Sequence, residues 1–192
     1  IQNGEAIFSC SISFQKREKG LTHQIKMPNI QGPEKLKSDL ELRKDMKSKI
    51  PKDYLPMWLR EREIETRQVE PVDLLKAEKL PPYRSTWMKP TGKLPSDERI
   101  HQALLLYVSD MGLLGAAVNP HEVNFMSKKF QSASLDHVMW FHGKVNFNNW
   151  ILHHMHSPIS QNARGFSRGS IYTKSGKLVA STAQEGLMRI WD

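Results

Sequence analysis

Residues 95–112 read PSDERIHQALLLYVSDMG, and a stretch of this kind has to be enclosed by the rest of the fold. Ser96 is placed to cap a helix, while Asp97 and Glu98 complement the positive helix start. Beyond them Ile100, Ala103, Leu104, Tyr107, Val108 and Met111 recur at the three-to-four spacing of one apolar stripe, which Leu105 and Leu106 widen to most of the circumference. Such a helix predicts wrapping rather than docking by a single face. Strand-like segments at 64–70 and 83–89 precede it. Four more, at 131–142, 150–156, 163–173 and 178–190, follow it, the last two joined by Ser175-Gly176. One buried helix among antiparallel strands is an α+β pattern.

A chain of 192 residues has room for one good core with attachments. No apolar run approaches the roughly 20 residues of a membrane span, so none is expected. Cys10 is the single cysteine, which excludes an internal disulfide and leaves no thiol pair for zinc or redox chemistry. The formal charge of +8 points to an anionic partner, and nucleic acid, a membrane surface or a phosphorylated small molecule would each satisfy it. Much of the surplus lies between Lys35 and Lys52, interleaved with acids, which is also the pattern of a solvated helix or linker. That stretch has no aromatic–basic motif, so nucleic acid ranks last among partners.

Residues 4–14, GEAIFSCSISF, follow an Asn3-Gly4 turn signal and read as a strand. They align without gaps on residues 176–186, GKLVASTAQEG, with the turn glycine coinciding and Ser9 on Ser181; a duplicated hairpin and a chance match stand level here. Residues 15–62 are charged and carry Pro28, Pro33, Pro51 and Pro56, which predicts a linker with one short helix near 34–48, mobile or draped over a surface.

Few residues are placed to carry chemistry. Asp110 ends the apolar helix near Ala103, Leu106 and Leu114, where the helix dipole and an apolar setting would both raise its pKa toward general-base range. A solvated acid beside Gly112 is the other reading. If 131–142 is one strand, alternation puts Ser134 and Asp136 on one face and His137 on the other. Neither Asp136–His137 nor Ser134–His137 then pairs unless a bulge intervenes, and Ser134 is a hydrogen-bonding group rather than a nucleophile. Gln184 stands in a small-residue strand, sharing a face with Thr182, Gly186 and Met188, and its amide needs partners. Gly186 leaves room there for a ligand or another backbone. The hairpin alignment puts Ile12 where Gln184 stands, so only the later copy would hold a polar site. His142, His153, His154 and His156 invite a metal, but in a strand His153 points away from the other two and no third ligand follows; no metal and no cofactor are expected.

Three segments, PSDERIHQALLLYVSDMGLL (95–114), SASLDHVMWFH (132–142) and ARGFSRGSIYTKSGKLVASTAQEGLMR (163–189), resemble the acyl-CoA thioesterase II family, the double-hotdog thioesterases of bacteria and peroxisomes. The similarity extends more loosely back to Ile1. It implies a hotdog fold and hydrolysis of fatty acyl-CoA to fatty acid and CoA, with a water held by residues corresponding to Asp110, Ser134 and Gln184 and no covalent intermediate. Arg164 and Arg168 become candidates for the CoA phosphates, or else ordinary exposed strand residues. The resemblance further implies that 1–14 is the last strand of a first repeat otherwise missing, 15–62 a linker and 63–192 the second hotdog. Homo-oligomers through sheet pairing are expected. A peroxisomal location is implied, although Trp191-Asp192 is not a Ser-Lys-Leu type signal, and the cytoplasm is the alternative. Opposed to an enzyme is a fragment that binds acyl-CoA, or pairs with a hotdog, without turnover.

Overall fold

The protein is described from a computed structural model covering residues 2–73, 75–123, 125 and 127–191. Seven strands in chain order, β1 (Ile64–Gln68), β2 (Tyr83–Pro90), β3 (Phe130–Ser134), β4 (Val138–Phe141), β5 (Ile151–Gln161), β6 (Arg164–Thr173) and β7 (Leu178–Ile190), form one antiparallel sheet. Its order is β1-β2-β5-β6-β7-β3, with β4 also on β7. Among the described residues four α-helices accompany it: α1 (Asp39–Asp45), α2 (Leu55–Trp58), α3 (Glu98–Ser109) and α4 (Leu113–Val118).

The three long strands are a meander whose turns match their chemistry. β5 and β6 close through Asn162 and Ala163, with φ of 51° and 57°, the double positive φ that suits the twist of a two-residue hairpin. β7 pairs with β6 along one edge. On the other edge it takes β3 against 186–190 and β4 against 180–183.

Each face of the sheet has its own cover. On one face Met88, Ile151, Ile171, Val179 and Ala180 pack under Leu105 and Val108 of α3, joined by Val145 and Phe147. Each such buried aliphatic contributes about 1.5–3 kcal/mol. On the other face Trp87, Leu152 and Tyr172 are covered by Met27, Ile30 and Leu36. The covering segment is anchored by polar bonds: Trp87 Nε1 donates to Gln31 O at 2.9 Å, and Arg67 Nη1 donates to Pro33 O and Leu36 O at 2.8 and 3.1 Å. Residues 27–36 thus drape over the sheet and complete a core, and 15–62 carries two α-helices, α1 and α2, where one near 34–48 was expected.

Five expectations need correction. Residues 6–14 form no strand, because they meet no partner ladder among the described residues; of the expected hairpin those residues show a Gln2–Glu5 bridge, and Phe8 and Phe14 are exposed. The helix is capped by Asp97, whose carboxylate accepts from Arg99 N, not by Ser96. Past Gly112, at φ +80°, it continues as α4, so Glu98–Val118 spans 21 residues and is long and apolar enough by composition to cross a bilayer. Here it packs on the sheet instead, with Leu113, Ala116 and Ala117 fully buried. The helix is also rolled relative to expectation: its buried face is His101, Leu105, Val108 and Ser109, while Ile100, Leu106, Tyr107 and Met111 face outward. Finally, 131–142 is two strands. Asp136 breaks the ladder by accepting Glu185 N on its own Oδ1 at 2.8 Å, and Leu135 N donates to Glu185 O at 2.9 Å.

Candidate functional site

Asp110 is the C-cap residue of α3, held at the helix end by the turn that Gly112 makes possible. Two side chains from different strands converge on one of its oxygens. Ser134, the last residue of β3, donates Oγ–H to Asp110 Oδ1 at 3.0 Å. Gln184, in the middle of β7, donates Nε2–H to the same Oδ1. The register explains the convergence: Ser134 stands opposite Gly186, two residues along the helix-facing side from Gln184. Gly186 and Gly165 are themselves cross-strand partners. The room left by their missing side chains is filled by α4: a Cβ on Gly186 would lie 2.6 Å from Leu114 Cδ1, and one on Gly165 2.5 Å from Ala117 Cβ. Of the two occupants expected at Gly186, a ligand or another backbone element, it is helix α4 that is seated there, through Leu114.

The settings of the three residues differ sharply. Gln184 is 1% exposed, and its Oε1 has no partner among the described residues. Asp110 and Ser134 are exposed, so the apolar enclosure expected around Asp110 is not formed among the described residues. The cause is the roll of α3, which turns Asp110 outward with Leu106, Tyr107 and Met111. Neither candidate arginine joins the trio. Arg164 and Arg168 alternate with Gly165, Ser167 and Gly169 along β6 and so project from the face opposite the helix. Arg164 pairs there with Glu185 at 3.1 Å, and the Arg168 guanidinium lies 5.3 Å from the Phe166 ring centre.

The histidines divide among separate tasks. His154 bonds Ser85 Oγ at 3.0 Å and His142 bonds Ser181 Oγ at 2.8 Å. His153 is fully buried on the helix-facing side, 3.3 Å from Thr182 Oγ1. Burial drives its pKa down to about 3, with His137 and His154 adding to the effect, so it is neutral. Among the described residues no group of three potential metal ligands forms. Two further histidines take partners that the sequence reading did not assign to them. His101, on the buried face of α3, accepts Phe147 N on Nδ1 at 3.2 Å. His137 reaches Ser109 Oγ at 2.7 Å, because the break at Asp136 resets the alternation that would have turned it away. The signal for that break was an aspartate in the middle of a strand-like run.

Residues 58–187 match the family described as Acyl-CoA thioesterase. Acyl-CoA thioesterase 2 of Haemophilus influenzae is 35% identical over 189 residues, covering 98% of this chain and 66% of that protein. Among solved structures, the acyl-CoA thioesterase II TesB2 from Mycobacterium marinum superposes with a TM-score of 0.67 at 29% identity, over 93% of this chain and 61% of that one. A protein from Alicyclobacillus acidocaldarius described as having a hot dog fold superposes with a TM-score of 0.62 at 15% identity, over 92% and 60% of the two chains. That likeness concerns fold alone, and it agrees with a helix wrapped by a curled antiparallel sheet. The chain spans about 60–66% of the length of these relatives.

Proposed function

Since this chain belongs to the acyl-CoA thioesterase family, we propose that it hydrolyses fatty acyl-CoA to the free fatty acid and CoA. The observation that carries the reading is the convergence of Ser134 and Gln184 on Asp110 Oδ1. Two neutral donors on one oxygen fix the carboxylate plane and leave Oδ2, which takes no hydrogen bond among the described residues, as the base. Oδ2 accepts a proton from a water as that water attacks the thioester carbonyl. The C–S bond then breaks and the thiolate takes up the proton. No acyl-enzyme forms, and the gain comes from positioning and general-base catalysis.

The test is release of free CoA thiol from long-chain acyl-CoA. Asp110→Asn keeps the size of the side chain and removes the base, and turnover is expected to fall by about 10²–10⁴-fold with thermal stability unchanged. Turnover retained at the wild-type rate refutes the role.

A second reading is binding without turnover, in a fragment that pairs with another hotdog. The outward apolar stripe of Ile100, Leu106, Tyr107 and Met111 favours it. Equilibrium acyl-CoA binding with no thiol release, even with Asp110 intact, would select it. Self-association through sheet pairing belongs to either reading and is read by light scattering. Under the first reading the compartment is the peroxisome, with the cytoplasm as alternative, and fluorescence microscopy of the tagged chain separates them.

A further inference from the structure

The last turn of α3 is latched from outside the trio. Ser109 is fully buried, and its Oγ lies 2.7 Å from Leu106 O and 2.7 Å from His137 Nε2. A hydroxyl has one proton and a carbonyl can only accept, so Ser109 donates to Leu106 O and accepts from His137 Nε2–H. Half-burial lowers the pKa of His137 against the opposing pull of the Asp110 and Asp136 carboxylates, which leaves the neutral ring with its proton on Nε2.

The corner at 134–137 therefore grips two adjacent residues of the helix end. Ser134 holds the side chain of Asp110, and His137 holds Ser109 just before it. Little else restrains Asp110: it is exposed, and Gly112 with its positive φ follows two residues later. Were the last turn to loosen, the Asp110 carboxylate would drift from Gln184, which β7 holds opposite Ser167 of β6, between its stretches paired with β4 and β3.

We infer that His137 is a positioning residue for Asp110, acting through Ser109, and keeps the carboxylate where Ser134 and Gln184 both reach Oδ1. The inference rests on the reading of Asp110 as the base.

The experiment compares His137→Ala, His137→Gln, Ser109→Ala and the His137→Ala/Ser109→Ala double variant in the full chain, with thiol release and melting followed for each. Each alanine change is expected to lower kcat by about 10–100-fold with KM within about threefold, since a displacement near 1 Å is enough for such a loss. The double variant should be no slower than the worse single, because both remove one latch. His137→Gln, whose Nε2–H has a similar reach, should return kcat to within about threefold of wild type. Additive losses overturn the latch. So does a glutamine variant as slow as the alanine one, which would instead give the imidazole its own role in proton transfer. Should His137→Ala fail to fold, the Ser109→Ala and His137→Gln pair decides on the same terms. If the wild-type chain hydrolyses nothing, the functional reading alone has failed, and amide hydrogen exchange over residues 107–111 decides the latch. Exchange faster in both alanine variants and restored by glutamine supports it; unchanged exchange overturns it.

Discussion

Gly165 is outside the trio, yet its substitution should reach the site. A Cβ there would come within 2.5 Å of Ala117 Cβ and would also collide with Met188 Sδ. The methionine tip can swing aside, but the Ala117 Cβ moves only with the α4 backbone. Restoring ordinary contact means lifting α4 by about 0.9 Å, the difference between 3.4 Å and 2.5 Å. Overpacking of this size costs about 1–3 kcal/mol. At about 2–4 °C per kcal/mol for a chain of this length, Gly165→Ala should lower Tm by roughly 2–12 °C. Because α4 joins α3 through Gly112, part of the lift is transmitted to Asp110, and a displacement approaching 1 Å predicts a loss of kcat of up to about 100-fold. Gly186→Ala is the control: its Cβ would meet the terminal methyls of Leu114, at 2.6 and 2.9 Å, which can change rotamer. Calorimetry and thiol release on both variants give the comparison. A Gly165→Ala protein with wild-type Tm and rate, or a Gly186→Ala protein harmed more than it, refutes the reasoning.

Two further outcomes follow from buried polar groups. Arg43, 5% exposed, donates to Asp39 Oδ2 at 2.9 Å and to the carbonyls of Trp58 and Arg60, tying α1 to the end of α2. Arg43→Ala strands those acceptors and should cost about 3–5 kcal/mol in urea unfolding; a midpoint within error of wild type would show that the knot contributes nothing. His153 has a folded pKa near 3 against 6.5 for the free side chain, so below about pH 6.5 the unfolded state binds the extra proton. Its stabilising effect is complete above that pH and is lost as pH falls from about 6.5 toward 3, at roughly 1.4 kcal/mol per pH unit. Urea midpoints at three pH values should decline on acidification, and His153→Gln should flatten the slope; an equally steep decline in the variant removes His153 as the cause.

How much of this was legible in the sequence depended on where the polar residues fell. β7 and β6 were readable almost to the residue, because a turn glycine and proline-free runs holding many small and β-branched residues leave little choice. The existence of α3 was equally plain, but its orientation was not. Counting apolar positions assumes that the most apolar face is inward, whereas this helix buries His101 and Ser109 and turns Ile100, Tyr107 and Met111 outward. The trio came through its resemblance, since nothing local tells Asp110 from any solvated helix-end acid. His137 was hidden by a strict alternation that one side-chain-to-backbone bond from Asp136 undoes. The opening strand was misread for a different reason: β-propensity identifies a segment able to pair, and pairing is a property of two segments.

The double pairing of β7 has a consequence for inheritance as well as for stability. A strand shifted by one residue turns every side chain to the other face, and such a shift would carry Gln184 away from Asp110 without altering a single amino acid. At an unpaired edge that error is cheap. In β7 a slip against β6 would have to break its ladders to β3 and β4 at the same time, so the sheet proofreads the address of the one buried amide in the site. Mutations at the β3 and β4 edge, Ser134 excepted, are thus free to change surface and partner, provided they leave that register unambiguous.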